Sequence, residues 1–214
     1  MLMDRYHQAI DDLLKKVRET QRETVIKVGN LVAETAEQNR KIYLNDICHA
    51  IENDVIQRGG GPIFLKRYEK KVTQLNPGDL LFVSSVSGRT KKVVDLAWDA
   101  MEKGVNVVAF TSLEYAQAVE PVHPSGKRLH EFVTIAVDNC APAAEAMLEV
   151  EGIEAKFAAA SGISSAYLLW SITSCAVEKM LADGYTPGIL KSANFPGGFE
   201  YNDKIQEHYE QYGY

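Results

Sequence analysis

Four hydroxyl side chains and one glycine follow an apolar run and are the residues best suited to chemistry. They are Ser84, Ser85, Ser87, Gly88 and Thr90. The run before them, residues 80–83, is typical of a strand buried on both faces, and the apolar spacing after them predicts a helix that begins near Arg89. Unpaired N–H groups and the positive end of the dipole at a helix N-terminus favour an anion, usually a phosphate. The alternative is that the hydroxyls only cap the helix and shape a turn.

Polar residues also end two further predicted strands. Asn45-Asp46 follows the strand at 42–44, and Thr111-Ser112 follows the strand at 105–110. The strand, helix and strand over 80–110 predict a βαβ unit with parallel strands and a right-handed crossover. Ligands of parallel sheets bind beyond the carboxyl ends of the strands, so we expect these strand ends to share one cleft.

Two histidines are candidates for a role in that cleft. His49 follows the first strand and could act as a general acid or base, and a partly buried loop histidine is the equally good alternative. His123 is followed by Pro124-Ser125-Gly126-Lys127, and it could face a bound ligand or shape a turn with Pro124. The three cysteines do not have the spacing of a structural metal site, so we expect no metal.

Length and composition predict an ordinary globular chain. The 214 residues, 46% of them apolar, suit one α/β domain over 1–214, with a helical arm at 1–40 and a tail at 190–214. The formal net charge of −6 argues against a nucleic-acid partner, because such proteins usually present a basic face. We expect neither a membrane span nor a signal peptide, and we expect a cytoplasmic protein with reduced thiols.

Helical periodicity predicts two large apolar surfaces. Residues 3–38 carry one apolar stripe, with Gly29 as a candidate point of division into two helices, and residues 164–182 are apolar nearly all round. The arm could lie across its own sheet or pack on a second subunit, and we favour at least a dimer. The remaining predicted elements are a helix at 50–58, a short strand at 63–65, a strand at 132–137 and an edge strand at 147–152.

The segment 77–112 resembles the core of a SIS domain, the sugar isomerase fold. Residues 85–90, Ser-Val-Ser-Gly-Arg-Thr, match the S-x-S-G-x-T loop of that family, and a helix, a glycine and a strand ending in Thr-Ser follow, as in the family. The stretches at 123–129, 138–142, 149–152 and 192–202 are similar to a branch of small bacterial proteins akin to phosphoheptose isomerases. This ordered set spreads over nearly the whole chain, which makes the resemblance highly specific.

The resemblance implies a flavodoxin-like, three-layer αβα sandwich around a five-stranded parallel sheet. It also implies a sugar phosphate held by the loop, no metal or organic cofactor, and an active site near the interface of a homodimer or tetramer. The residues that we assign to substrate binding are Ser84, Ser85, Ser87, Gly88, Thr90, Thr111, Ser112 and His123.

The loop after the first strand departs from the family pattern. A Gly-Ser-rich loop there normally helps to hold the phosphate, whereas residues 44–49 contain neither residue type and include Asp46, which would repel a phosphate. The next helix normally supplies a glutamate base. The aligned residues here are Asn53-Asp54, with Glu52 one position earlier. Displacing a catalytic group on the order of 1 Å can cost roughly 10²-fold in rate.

Two functions from different classes follow from this sequence. In the first, the protein is an aldose–ketose phosphosugar isomerase, with Asp54 or Glu52 as the base and His49 as the ring-opening acid. In the second, it binds a phosphosugar without catalysis, as a sensor or as the partner of a complete paralogue. The intact S-x-S-G-x-T loop supports binding in both cases.

Overall fold

The computed structural model describes residues 1–214 and contains one sheet of five strands. The strands are β1 (Ile42–Asn45), β2 (Leu65–Arg67), β3 (Leu80–Ser84), β4 (Asn106–Thr111) and β5 (Ile135–Asp138). Their order across the sheet is β2-β1-β3-β4-β5, and every neighbouring pair is parallel. The predicted parallel pairing of β3 with β4 is confirmed, with Ser84 opposite Phe110. The carboxyl ends of β1, β3 and β4 therefore lie at one edge of the sheet.

Helices cover both faces of this sheet. They are α1 (Leu2–Glu37), α2 (Lys91–Glu102), α3 (Leu113–Gln117), α4 (Ser161–Ala182) and α5 (Gly198–Tyr212). Side chains alternate along a strand, so Leu80 and Phe82 face a core shared with α1 and α4, whereas Leu81 and Val83 face a second core built with α2. This explains why the run at 80–83 is continuously apolar, and it confirms the three-layer αβα sandwich.

Helix α1 runs through Gly29 without interruption, so the predicted division at that residue is wrong. Gly29 is needed where α1 crosses α4. A Cβ built there would lie 2.5 Å from the Cβ of Cys175 and 3.1 Å from the carbonyl oxygen of Ile172. The glycine lets the two helices approach closely, and the apolar stripe of α1 is buried against α4 and the sheet of its own chain.

The helix predicted at 50–58 is reduced to one 3₁₀ turn, Ile51–Asp54. His49, Ala50 and Gln57 have φ angles of +67°, +70° and +54°. Helical residues have negative φ angles, so these three confine regular structure to the few residues between them.

Two short strands also differ from the prediction. Strand β2 begins two residues later than expected, because Pro62 and Ile63 pair with the segment at 188–189 instead. The strand expected at the edge of the sheet over 147–152 is β6 (Ala146–Leu148), which pairs antiparallel with β7 (Phe157–Ala159) in a separate hairpin. The first difference arises from pairing with a distant segment, and the second from a local hairpin that forms outside the main sheet.

Helix α4 is the most apolar helix, and it buries only the side that packs on α1 and on the loop after β1. Ile172 on that face is 1% exposed, whereas Ile163, Tyr167 and Leu181 are exposed on the other faces of the single chain. The predicted burial all round is therefore seen for one face only. Neither α4 nor any other helix is both long and apolar enough to cross a membrane.

Candidate functional site

The loop between β3 and α2 is closed by hydrogen bonds between Ser85 and Thr90. The Gly88 N–H donates to the Ser85 carbonyl oxygen (2.8 Å), and the Thr90 N–H donates to Ser85 Oγ (3.2 Å). Ser85 Oγ in turn donates to Thr90 Oγ1 (2.9 Å), which leaves the Thr90 hydroxyl hydrogen without an acceptor in the chain. Ser85 thus shapes the turn, as the capping alternative requires, and the helix begins one residue after Thr90, at Lys91.

The loop before α2 and the first turn of α2 contain backbone N–H groups that donate to no acceptor in the chain. The N–H groups of Ser87, Arg89, Lys91 and Lys92 have no intramolecular hydrogen-bond partner. Unpaired N–H groups at a helix N-terminus also carry the positive end of the helix dipole, so the site favours an anion. The Arg89 side chain does not add to it, because its guanidinium donates to the carbonyl oxygen of Glu120 (3.2 Å).

Gly88 is required by the geometry of this loop. Its φ angle is +66°, a left-handed conformation that favours glycine. A Cβ at this position would also lie 3.2 Å from the Cβ of Ala116 and 3.3 Å from Thr111 Oγ1. The backbone of the loop is therefore pressed against the end of β4, with no room for a side chain.

A cavity of about 260 Å³ lies between the loop after β1 and the N-terminus of α2. It brings together four of the residues assigned from the sequence, namely His49, Ser84, Ser85 and Thr90. Asp46 and Cys48 line it as well. The shared cleft expected at the strand ends is thus formed by the ends of β1 and β3.

Lys92 lines the same cavity and is a binding candidate that the sequence reasoning missed. Its ammonium group has no carboxylate partner, whereas the neighbouring Lys91 is paired with Asp95 at 2.8 Å. An unpaired cation next to free N–H groups offsets the negative charge of Asp46 at the same cavity. Its position in the first turn of α2 could have identified it from the sequence, because anion-binding side chains often lie in the first turn of a helix.

The floor of the cavity is a buried thiol surrounded by polar side chains. Cys48 Sγ lies 3.0 Å from Ser84 Oγ, and Ser165 Oγ donates to it at 3.0 Å. Asn139 Nδ2 donates to Ser165 Oγ at 3.4 Å. Burial raises the pKa of the Cys48 thiol, so the thiol is neutral and is a poor nucleophile. The contact with Cys48 also engages the Ser84 hydroxyl within the protein.

The loop after β1 is held in an unusual conformation by Glu52. Four non-glycine residues of this loop, Asp46, Cys48, His49 and Ala50, have positive φ angles. Glu52 is buried, with Oε2 accepting the Ile47 N–H (2.9 Å) and Oε1 accepting from Arg67 Nη1 (2.9 Å). Residues in such conformations persist only where the surroundings hold them, and Glu52 supplies one such restraint by tying the Ile47 backbone to Arg67.

Neither carboxylate assigned as the isomerase base lines the cavity. Glu52 is occupied by the backbone and by Arg67. Asp54 is exposed, forms an ion pair with Arg58 and accepts a hydrogen bond from Trp170 Nε1 (3.4 Å). Four side chains with acid–base chemistry line the cavity in this structure. Two are the buried thiol and Lys92, and the other two are His49 and Asp46.

The remaining assigned residues lie outside the cavity. Thr111 and Ser112 are fully buried, and their hydroxyls donate to the carbonyl oxygens of Val86 (3.3 Å) and Ala141 (2.6 Å). The Ser87 side chain is half-buried and is not part of the cavity wall.

His123 lies beside helix α2 and likewise outside the cavity. Its Nε2 is 3.1 Å from Asp95 Oδ1, and its ring stacks on Trp98 at 5.8 Å between centroids. Its Nδ1 is 2.7 Å from Ser125 Oγ, which closes the turn that follows. His123 therefore orients Asp95 and shapes the turn.

The chain is similar to a known family model and to curated bacterial proteins. A family model described as a SIS domain matches residues 50–112. A UPF0309 protein of Listeria monocytogenes is 32% identical over 215 residues, covering 92% of both chains. A UPF0309 protein of Shouchella clausii is 29% identical over 237 residues, covering 97% of this chain and 96% of the relative.

Solved structures share the fold at low sequence identity. The Vibrio vulnificus NanR protein, complexed with ManNAc-6P, matches with a TM-score of 0.55 and 19% identity, covering 99% of this chain and 68% of NanR. A Methanococcus jannaschii protein, for which a 3-hexulose-6-phosphate isomerase function has been inferred, matches with a TM-score of 0.51 and 19% identity, covering 86% of this chain and 91% of that chain. At these identities the likeness establishes the fold alone.

Proposed function

The chain belongs to the UPF0309 family and contains a SIS domain, and on this premise we propose that it binds a sugar phosphate at the start of α2. The observation that carries the proposal is that Thr90 and Lys92 line one cavity at the N-terminus of α2, where the first N–H groups, including that of Lys92, have no partner in the chain. The NanR protein, which shares the fold, is complexed with a sugar phosphate, and this supports the same ligand class here by analogy.

The proposal is tested by comparing Lys92→Ala with Lys91→Ala. Both changes remove one positive charge from the first turn of α2, but only Lys92 lines the cavity. We expect Lys92→Ala to weaken sugar phosphate binding roughly tenfold, about 1.4 kcal/mol, and Lys91→Ala to have a much smaller effect. Calorimetric titration with a panel of pentose, hexose and heptose phosphates measures this. If no member of the panel binds, or if the two variants lose affinity equally, the proposal is wrong.

Isomerase activity is the second candidate, because the imidazole of His49 lines the proposed sugar site. An aldose–ketose isomerase takes a proton from C2 onto a base and returns it to C1 through an enediol. His49 would serve in ring opening, and Asp46 is the carboxylate at the cavity that would take the C2 proton. The engaged state of Glu52 and the exposed position of Asp54 favour binding over turnover in this chain.

Proton exchange separates the two functions. A non-catalytic sensor or partner subunit incorporates no deuterium at C2 of the bound sugar phosphate in D₂O, as measured by NMR. An isomerase does, and His49→Gln then abolishes the exchange while the affinity is retained.

We further propose that the protein is cytoplasmic and forms a homo-oligomer. All three cysteines are free, which suits a reducing compartment. The exposed side chains Ile163, Tyr167 and Leu181 on α4 support a second copy as the occupant of that surface. Sedimentation as a monomer at micromolar concentration would contradict the second part.

A further inference from the structure

A second cavity, of about 420 Å³, adjoins the first and runs along α2. The two cavities share Asp46, Lys92 and Val93 in their walls. The α2 wall extends from Lys92 to Lys103 at the C-terminal end of the helix, twelve residues that span about 16 Å. A ligand anchored by its phosphate at the N-terminus of α2 therefore has an open continuation along the helix.

The groove lies beside a connection of the sheet that lacks a helix. Parallel strands are usually joined by crossovers that contain one. The connection between β2 and β3 contains turns only, and Tyr68 and Lys70 from its first part form the wall opposite α2. The space beside α2 that such a helix would fill is left open to a ligand.

Most of the charged side chains of the groove have no partner within the chain. Lys70, Lys103, Asp99 and the Tyr68 hydroxyl form no ion pair or side-chain hydrogen bond, and the same holds for Lys92 and Asp46 at the junction. Asp95 differs, because it is held by Lys91 and His123. The walls thus offer both donors and acceptors at close range to a polar ligand.

The balance of charge in the groove selects the kind of ligand. Three lysines and three aspartates line it, so a second anionic group would meet carboxylates as well as ammonium groups. A neutral group rich in hydroxyls can donate to the carboxylates and accept from the lysines. Tyr68 adds an aromatic surface for the apolar C–H face of a sugar ring, and burial and the nearby Asp99 raise the pKa of its phenol, which keeps it a donor.

We propose that the ligand is a phosphorylated disaccharide or other phosphorylated glycoside. Its phosphorylated unit occupies the first cavity, and its neutral sugar unit lies in the groove between Tyr68 and Asp99. This rests on the proposed function, since it requires the phosphate to bind at the N-terminus of α2.

The experiment compares ligands that differ by the second sugar. Titration calorimetry is carried out with glucose 6-phosphate, with trehalose 6-phosphate, sucrose 6-phosphate and maltose 6′-phosphate, and with unphosphorylated trehalose. At least one disaccharide phosphate should bind roughly tenfold more tightly than glucose 6-phosphate, and unphosphorylated trehalose should not bind detectably. If all three disaccharide phosphates bind no more tightly than glucose 6-phosphate, the inference is wrong although the proposed function stands. If no phosphorylated sugar binds, both are wrong.

Two variants locate the second sugar. Asp99→Asn and Tyr68→Phe should remove most of the preference for the disaccharide phosphate and leave the affinity for glucose 6-phosphate unchanged. Glu102→Gln is the matched control, because Glu102 lies on α2 outside the groove and bonds to Trp98. A preference that survives both groove variants, or that Glu102→Gln reduces equally, contradicts the placement of the sugar in the groove.

Discussion

Glu52→Gln distinguishes a structural role of this residue from the catalytic role suggested by its place in the sequence. Glu52 accepts two hydrogen bonds, from the Ile47 N–H and from Arg67, both at 2.9 Å, and its side chain is 3% exposed. A glutamine retains one acceptor oxygen and turns its NH₂ group towards the other donor. The variant therefore loses one charge-assisted hydrogen bond and leaves one donor unpaired.

The expected loss of stability is about 2 kcal/mol, within the range of roughly 1.5–3 kcal/mol for hydrogen bonds to charged groups. The value lies in the lower half of the range because the Arg67 side chain is 41% exposed and can turn to water. For a chain of this size the loss corresponds to a decrease in Tm of roughly 4–8 °C. Urea denaturation followed by circular dichroism measures the free energy of unfolding.

Asp54→Asn is the matched control for this experiment. Asp54 lies in the same 3₁₀ turn, but its carboxylate is exposed and pairs with Arg58 at the surface. Its change should alter the free energy of unfolding by less than about 0.5 kcal/mol. If Glu52→Gln is as stable as the wild type but loses turnover of a sugar phosphate, Glu52 is the catalytic base and our assignment is refuted.

Two further predictions concern the helix crossing and the buried thiol. Gly29→Ala should destabilise the protein by about 1–3 kcal/mol in urea denaturation, because its Cβ would lie 2.5 Å from the Cβ of Cys175. Gly162→Ala in α4, where the added Cβ would lie 3.8 Å from Ile51 Cδ1, should be neutral or stabilising by up to about 1 kcal/mol, and the same result at Gly29 would disprove the close crossing. Burial raises the pKa of the Cys48 thiol, so the folded state should lose stability as the pH rises above the ordinary thiol pKa of about 8.5. Cys48→Ala should reduce that loss, and an unchanged pH dependence would contradict the assignment.

The local parts of the site could be predicted from the sequence. The apolar run at 80–83, the hydroxyls that follow it and the helical spacing from Val93 onward predict a strand, a loop and a helix N-terminus. These features depend on neighbours within about one turn or one strand, so propensity and periodicity suffice. Gly88 belongs to the same class, because its positive φ angle is a requirement of the turn itself.

The roles of the charged and polar side chains were decided by contacts between distant segments. Glu52 is held by Arg67, 15 residues away, and Cys48 by Ser165, 117 residues away. His123 was assigned to the ligand from its neighbours in the sequence, but in the fold it packs on Trp98 and Asp95. Partners of this kind cannot be read from local spacing.

The apolar strand pattern predicted parallel strands in a covered sheet, whereas packing decided the pairing of the short strands and the openings beside the sheet. An apolar strand has one stable place in a covered parallel sheet, so residues 80–83 specify the centre of the fold. The groove along α2 depends on the absence of a helix between β2 and β3, and on how Tyr68 and Lys70 then lie opposite Asp99. A cavity is formed by the surfaces of several segments at once, and only the tertiary structure brings those surfaces together.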